Sequence, residues 1–215
     1  MIKMSILTNS LFISFEGIDG CGKSTQVKLL MKKLEKESFP SLLVREPGGS
    51  KIAEDIRNIL LDKNNVSMSG KAEALLMTAS RAQLTKEVIL PKLKEGFIVI
   101  ADRYQDSTIA YQGGGRGLDI NFLKELNNFA TSSLKPDLTF YIDIGTEEGL
   151  KRTNAVDFDR IESAGQIFQK NVRKEYLELV KEYPERIMMV DGNLSIKKIH
   201  NKIWDLIKQK INIKT

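Results

Sequence analysis

The feature that most constrains this chain is a glycine-rich loop, residues 17–25, between an apolar stretch and an amphipathic one. Its first eight residues, GIDGCGKS, match the pattern G-x-x-x-x-G-K-[ST]. The stretch before it, 11–15, is apolar enough for a short buried strand. In the stretch after it, apolar residues recur at helical spacing, at Val27, Leu30, Met31 and Leu34. A strand, a glycine loop and a helix in this order predict a phosphate-binding loop, or P-loop.

The residue types of the loop suit anion binding. Gly17, Gly20 and Gly22 let the backbone adopt positive φ and approach an anion with no Cβ in the way. Backbone N–H groups and the helix N-terminus then point at the phosphates. Lys23 can place its charge at the β- and γ-phosphates, and the Ser24 hydroxyl can reach Mg²⁺. The alternative is a chance match, which the flanking strand and helix argue against; the loop alone leaves the reaction open.

Composition narrows the class of protein. The chain has 215 residues, 41% hydrophobic and 28% charged, which suits one globular α/β domain, residues 1–215, with or without a lid. Its net charge of +5 fits anionic small substrates or merely lysine-rich surfaces, and no dense basic run with interleaved aromatics indicates nucleic-acid binding. The single cysteine, Cys21, excludes an internal disulfide and favours a reducing compartment, the cytoplasm. It is more simply a small loop residue than a nucleophile.

Neither a membrane span nor a signal peptide is expected. No stretch approaches about 18 consecutive apolar residues. Residues 1–10 carry one lysine and no apolar core of the signal-peptide kind, so we expect a loose leader there, with Met4 as an alternative start.

Strand-like and helical stretches alternate along the rest of the chain. Short apolar stretches predict further strands at 41–45, 97–101, 138–144 and 186–190. Helical patterns lie at about 51–61, 70–94, 104–112, 119–131, 164–182 and 195–210. This alternation predicts an α/β fold in which a five-stranded parallel sheet carries helices on both faces.

Parallel sheets bind ligands beyond the carboxyl ends of their strands. This rule predicts that three segments lie together at one edge of the sheet: 17–25, 45–49 and 102–104. Arg45 can grip a phosphate there by two hydrogen bonds, or it can be a loop arginine in solvent. Asp102 can hold Mg²⁺ through water or cap a helix, and Arg103 can pair with a phosphate.

Helical spacing groups further candidates. Met77 and Arg81 share a face of the helix at 70–94, where they can contact a planar base, although spacing alone favours a core methionine and a surface arginine. On the helix at 104–112, Ser107 shares a face with Tyr111, and Thr108 shares the neighbouring face with Gln112. Polar residues on a solvent-exposed helix face would explain the pattern at 104–112 equally well.

The remaining signals concern loops and charge. Glycines at 113–115 predict a helix C-cap or a mobile loop. The charged segment 150–163 has little apolar periodicity and predicts a mobile charged loop, with a solvated helix face as the alternative. His200, the only histidine, is interpreted as structural, so no general-base histidine is expected.

Together these motifs resemble the thymidylate kinase family, nucleoside monophosphate kinases that make dTDP from dTMP and ATP. The matching stretches are FEGIDGCGKSTQ at 15–26, REPGG at 45–49, SRAQ at 80–83, DRYQDSTIAYQGGGRGLD at 102–119, PDLTFYID at 136–143 and DRIE at 159–162. They span nearly the whole chain, in order. The resemblance implies a three-layer P-loop kinase fold with a short lid at about 150–163, ATP and Mg²⁺ as cofactors, and a homodimer. The apolar helix at 70–94 can supply the interface of such a dimer.

The resemblance also implies residue roles. The residues that bind ATP phosphates are Ile18, Asp19, Gly20, Cys21, Gly22, Lys23, Ser24 and Thr25. The residues that bind dTMP are Asp19, Arg45, Met77, Arg81, Arg103, Ser107, Tyr111 and Gln112; among them Arg45 and Arg103 hold the phosphate, Arg81 and Gln112 read the thymine edge, and Tyr111 crowds the 2′ position. The Mg²⁺ ligands are Ser24, Asp102 and Glu162. The catalytic residues are Lys23, Asp19, Arg103, Arg152 and Arg160.

Two departures from the family pattern affect these roles. Met77 stands where the family usually has a phenylalanine that stacks on thymine; a thioether still packs on a ring face, so we expect a weaker or broader base preference. The lid carries only Arg152 and Arg160, and the sequence does not decide which reaches the transferred phosphoryl group. The rival functions are another nucleoside monophosphate kinase and a P-loop ATPase switch without a second substrate.

Overall fold

The structure is a computed structural model that describes residues 10–153 and 159–214, apart from the side chains of 162 and 212–214. The expected leader therefore lies almost wholly outside the described residues. In the part that is described, no helix is both long enough and apolar enough to cross a membrane.

Five strands form one parallel sheet. They are β1 (Leu11–Glu16), β2 (Ser41–Arg45), β3 (Ile98–Asp102), β4 (Leu138–Asp143) and β5 (Ile187–Asp191). Their order across the sheet is β2-β3-β1-β4-β5, so β1 is the central strand. Phe15 of β1 pairs with Asp102 of β3, which brings the P-loop and Asp102 side by side at the carboxyl edge. The predicted sheet is confirmed, with strand ends shifted by one residue.

Helices connect the strands. The α-helices are α1 (Lys23–Lys36), α2 (Lys51–Leu61), α3 (Gly70–Leu84), α4 (Leu90–Lys94), α5 (Gln105–Thr108), α6 (Ile120–Thr131), α7 (Thr146–Arg152), α8 (Gln166–Glu182) and α9 (Ile196–Lys214). Two π-helical segments, Thr85–Ile89 and Ile109–Gly115, continue α3 and α5, and a 3₁₀ turn spans Glu162–Ala164.

The core lies on both faces of the sheet. Alternate residues of β1 point to opposite faces, as expected for a strand. Ile13 packs in a cluster that includes Leu30 of α1 and Ile203 of α9. Phe12 packs in a second cluster with Leu84 of α3 and Val99 of β3. The prediction of helices on both faces is therefore confirmed.

The predicted helix at 70–94 is confirmed as one continuous helical run, in which the backbone repeat widens over Thr85–Ile89. One prediction about a loop was wrong in part. The charged segment 150–163 does not begin as a loop, because its first residues end α7. Helix α7 has Glu147 and Glu148 in its first turn and Lys151 and Arg152 in its last, an arrangement that favours a helix through its dipole. Residues 154–158 lie outside the described part.

The glycines at 113–115 were also misread, because they form the last turn of the π-helical segment rather than a cap or loop. A Cβ added at Gly114 would stand 2.6 Å from Cβ of Glu175 and 3.0 Å from the carbonyl oxygen of Asn171. A Cβ at Gly115 would stand 2.4 Å from the ring of Phe168. The absence of side chains thus lets α8 lie directly against the segment that carries Tyr111 and Gln112.

Replacement of Gly114 should loosen this contact. Gly114→Ala places a methyl group against backbone and Cβ atoms that cannot rotate away, so we expect a loss of about 1–3 kcal/mol in the free energy of unfolding. Urea unfolding curves measure it. The matched control is Gly145→Ala, since Gly145 has φ −63° and open space around it. The control should stay within about 0.5 kcal/mol of the parent, and equal stability of the two variants would contradict the prediction.

Candidate active site

One cavity of about 520 Å³ opens at the carboxyl edge of the sheet. It is lined by most of the site residues that the sequence predicted, although they come from distant segments. Those that line it are Asp19, Gly20, Gly22, Lys23, Ser24, Thr25, Arg45, Met77, Arg81, Asp102, Arg103, Ser107, Tyr111, Gln112 and Arg152. Ile18 and Cys21 also belong to the loop, but their side chains are buried. Arg160 is absent from the described lining.

The P-loop is held in shape by its own lysine. Lys23 Nζ donates to the carbonyl oxygens of Gly17 at 2.8 Å and Ile18 at 3.1 Å. The same ammonium lies 4.0 Å from the Asp19 carboxylate. Gly22, which precedes α1, has φ 96°, a conformation that glycine adopts without strain. The loop therefore presents a fixed cation and the N-terminus of α1 to the cavity.

Ser24 and Asp102 lie together beside the loop. The Ser24 hydroxyl donates to Asp102 Oδ2 at 3.5 Å. Oxygen ligands of this kind suit Mg²⁺, which keeps several waters and takes few protein ligands. In the described residues, no group of three His, Cys, Asp or Glu side chains could hold a metal by itself. The third expected ligand, the Glu162 side chain, lies outside the described part.

Arg103 adopts a strained backbone. Its φ is 71°, a left-handed conformation that costs a non-glycine residue roughly 1–3 kcal/mol. Its guanidinium donates to Asp19 Oδ1 at 2.6 Å and to the Gly17 carbonyl at 3.0 Å, and lies 4.9 Å from the Tyr111 ring centre. Burial works to raise the pKa of Asp19, but Arg103 and Lys23 lower it below its usual value. Asp19 is thus an ionised bridge between the P-loop and Arg103.

Glu16 holds the backbone next to Arg103. Its buried carboxylate accepts hydrogen bonds from the Tyr104 N–H at 2.8 Å, the Ser107 hydroxyl at 2.6 Å and the Tyr176 hydroxyl at 2.8 Å. Burial, with the negative charge of Asp106, raises the pKa of Glu16 to about 7, although the Ser107 hydrogen bond opposes the rise.

A guanidinium and an amide, those of Arg81 and Gln112, also line the cavity, as does Met77. Arg81 is only 2% exposed, so the alternative of a surface arginine was wrong. It donates to Glu46 at 2.7 Å, to the Thr108 hydroxyl at 2.7 Å and to two further oxygens. Gln112 donates from Nε2 to Glu73 at 3.0 Å. These groups offer polar atoms in fixed directions to a flat ligand.

The two lid arginines differ in position. Arg152 lines the cavity; it pairs with Glu148 at 2.8 Å and donates to the Gly192 carbonyl at 3.0 Å. Arg160 instead donates to the Leu60 carbonyl at 2.9 Å and pairs with Glu73 at 2.8 Å.

Comparison with known proteins settles the family. Residues 15–203 match the family model described as thymidylate kinase. The chain belongs to the thymidylate kinase family. It is 50% identical over 198 residues to the thymidylate kinase of Thermoanaerobacter sp. (strain X514), a match that covers 92% of this chain and 97% of the relative. A second relative, from Thermosipho africanus (strain TCF52B), is 47% identical over 199 residues, covering 93% and 98%.

A solved thymidylate kinase shares the fold. The crystal structure of the protein from Ehrlichia chaffeensis superposes with a TM-score of 0.76 at 32% sequence identity, covering 93% of this chain and 99% of that one.

This member of the thymidylate kinase family has site residues that sequence reasoning missed. Arg57 of α2 lines the cavity and donates to the Pro47 carbonyl at 2.7 Å. Its signal was present, because Glu54 and Arg57 are three residues apart and share a helix face beside REPGG. Glu16 and Glu73 gave no such signal, since a carboxylate in a sequence does not reveal that it is buried.

Glu16→Gln should reveal the cost of the buried charge. The carboxyl ionises at 4.5 in the unfolded chain but at about 7 in the folded protein. Ionisation of Glu16 therefore does not reduce the free energy of unfolding below pH 4.5. The reduction grows as the pH rises and is complete above pH 7. Relative to the parent, the variant should gain on the order of 3 kcal/mol of stability across that interval.

Urea unfolding of both proteins at several pH values measures this gain. A stability difference that stays constant with pH would contradict the assigned pKa. The amide can still accept from the Tyr104 N–H and donate to a hydroxyl, so the variant should fold.

Proposed function

We propose that this protein transfers the γ-phosphoryl group of ATP to dTMP, giving ADP and dTDP. The observation that carries the proposal is that the P-loop and a cluster of arginines and base-sized polar groups line one shared cavity. Its volume of about 520 Å³ lies within the usual range for small-ligand sites. We further propose that the chain is one kinase domain, with a lid at about 150–163, and that it acts in the cytoplasm, which its single buried cysteine suits.

Electrostatics explains the arginines. The reaction brings an anionic acceptor to polyanionic ATP, and two like charges 4 Å apart repel by about 4 kcal/mol at an effective dielectric constant of 20. Phosphoryl transfer needs mainly positioning and charge stabilisation. Lys23 supplies a cation on the ATP side. Arg45, Arg57 and Arg103 supply three on the acceptor side.

Each acceptor-side arginine is held by a hydrogen bond to a neighbouring group. Arg45 donates to both carboxylate oxygens of Glu54, at 3.0 and 3.1 Å. Arg57 is fixed by the Pro47 carbonyl, and Arg103 by Asp19. Guanidinium groups fixed in this way lose little further freedom when they grip a phosphate. In this proposal Tyr111 crowds the 2′ position of the sugar, while Met77, Arg81 and Gln112 contact the base.

Mg²⁺ and the lid complete the proposed site. Ser24 and Asp102, with Glu162, would hold Mg²⁺, which would neutralise phosphate charge when bound. Arg152 is the better placed of the two lid arginines for the transferred group, because it already lines the cavity. Closure of the lid excludes water, which otherwise competes as the acceptor.

An acceptor panel tests the function. ADP release is measured with ATP and dTMP, dUMP, dCMP, dGMP or AMP in turn, and dTMP should give the highest kcat/KM. Good turnover of another acceptor with none of dTMP would overturn the assignment. Isothermal titration with dTMP alone separates the kinase from a P-loop switch protein, which should bind no acceptor.

Lys23→Ala should abolish most of the activity. Removal of the fixed cation at the transferred phosphoryl group should lower kcat by about 100-fold or more, by analogy with the loss of other preorganised charge-stabilising donors. Lys28→Ala, an exposed lysine on the same helix, is the control and should keep parental turnover. Near-parental kcat in Lys23→Ala would show that the P-loop does not drive the reaction.

We also propose that the protein is a homodimer, as the family resemblance implies. Helices α3 and α6 carry an apolar surface with Leu75, Phe122 and Phe129, and Phe129 is 86% exposed. Phe122 and Phe129 are seven residues apart and so share a helix face. An apolar patch of this kind usually marks an interaction surface. We propose that a second copy of this chain binds to this surface.

Phe129→Glu should disrupt that dimer. In a dimer formed through this surface, a carboxylate at position 129 would be buried without a partner. We therefore expect the sedimentation mass to fall from that of a dimer to that of a monomer. Ile167→Glu replaces another highly exposed apolar residue, on α8, and should leave the mass unchanged. A dimer that survives Phe129→Glu would exclude the α3–α6 surface.

A further inference from the structure

Glu73 of α3 is the most heavily bonded carboxylate outside the roles assigned so far. Its side chain is fully buried. It accepts from Gln112 Nε2 at 3.0 Å and from Arg116 Nε and Nη2 at 3.1 and 2.9 Å, and it pairs with Arg160 Nη1 at 2.8 Å. In the described chain it does not line the cavity, whereas Gln112 does. It therefore stands directly behind a residue that faces the ligand.

Glu73 is held as an anion. Burial works to raise its pKa, but hydrogen bonds from Arg116, Gln112 and Arg160 lower it below the ordinary value. An ionised carboxylate accepts hydrogen bonds and cannot donate one. Gln112 must therefore turn its NH₂ group, not its oxygen, toward Glu73.

We propose that Glu73 is a positioning residue that sets base specificity, by fixing the Gln112 amide so that its oxygen faces the acceptor base. This inference rests on the proposed function, in which Arg81 and Gln112 read the base. Arg81 offers only donors and Gln112, so fixed, offers an acceptor. Thymine matches that pair with its O4 acceptor and N3–H donor. Cytosine opposes it at both positions, with a 4-amino donor and a bare N3 acceptor.

Without Glu73 the Gln112 amide would lose its direction. The two ends of an amide are nearly the same size, so a side chain with no fixed partner can turn over and present NH₂ to the N3 of cytosine. Arg116 and Arg160 keep the carboxylate in place and charged. Discrimination between thymine and cytosine at N3 therefore depends on the Glu73–Gln112 pair rather than on Gln112 alone.

The test compares dTMP with 5-methyl-dCMP, which keeps the methyl group, sugar and phosphate and differs at N3 and C4 alone. In Glu73→Gln the residue at 73 can donate or accept, so the Gln112 amide is released. The ratio of kcat/KM for dTMP to that for 5-methyl-dCMP should fall about tenfold, through the acceptor KM, because one buried mismatch is relieved. The KM for ATP should stay within about twofold of the parent.

Controls separate this role from a structural one. Asp143→Asn removes another carboxylate that holds an arginine, Arg173, by two hydrogen bonds of 2.8 Å, and it should leave the ratio unchanged. A merely structural loss in Glu73→Gln would lower the melting temperature and kcat for both acceptors while keeping the ratio; that result would overturn the proposal.

Gln112→Met alone supplies a test that does not require Glu73→Gln to fold, and it should lower the ratio by a similar factor. Where Glu73→Gln does fold, adding it to Gln112→Met should change the ratio no further, since the two residues act as a unit. An unchanged ratio in Gln112→Met, or an additive effect in the double variant, would overturn the inference. Absence of dTMP turnover in the parent would instead overturn the proposed function.

Discussion

The carboxylate of Glu16, enclosed at the end of the central strand, is the interaction on which the arrangement of this site depends. Its three donors come from three places: the backbone after β3, the short helix α5 and the long helix α8. A buried charge costs several kcal/mol unless it is hydrogen-bonded, so each of these elements is drawn to the same point. The P-loop begins at the next residue. The phosphate-binding loop, the strained backbone of Arg103 and α8 are therefore positioned by one group.

The same device recurs around the cavity. In each case a carboxylate accepts a hydrogen bond from a cationic or polar side chain of the cavity and fixes its direction. Such pairs hold the reading and gripping groups near their working positions before any ligand arrives, which is the main physical requirement of phosphoryl transfer. The pairs are Glu54 with Arg45, Glu46 with Arg81, Asp19 with Arg103 and Glu73 with Gln112.

The sequence predicted the features that follow from periodicity and topology. The five strands, their parallel pairing and the convergence of the P-loop, Arg45 and Asp102 at one edge all follow from apolar spacing and from the rule for parallel sheets. The sequence did not predict the features that depend on which residues a side chain contacts in the folded protein. Arg81 was favoured on spacing alone as a surface residue because its buried partners come from α6 and from the segments after β2 and β3. Gly114 and Gly115 were interpreted as turn residues. The sequence shows that they lack side chains, but it does not show that α8 packs against them there.

Gly114 and Gly115 have a genetic consequence. Glycine codons share their first two bases, so a single-base change at either of those bases replaces glycine by a residue with a β-carbon or by a stop. At both positions that carbon would fall within 2.6 Å of α8 atoms. A change at the third base keeps the glycine, whereas a change at either of the first two bases carries the cost of a carbon pressed against α8.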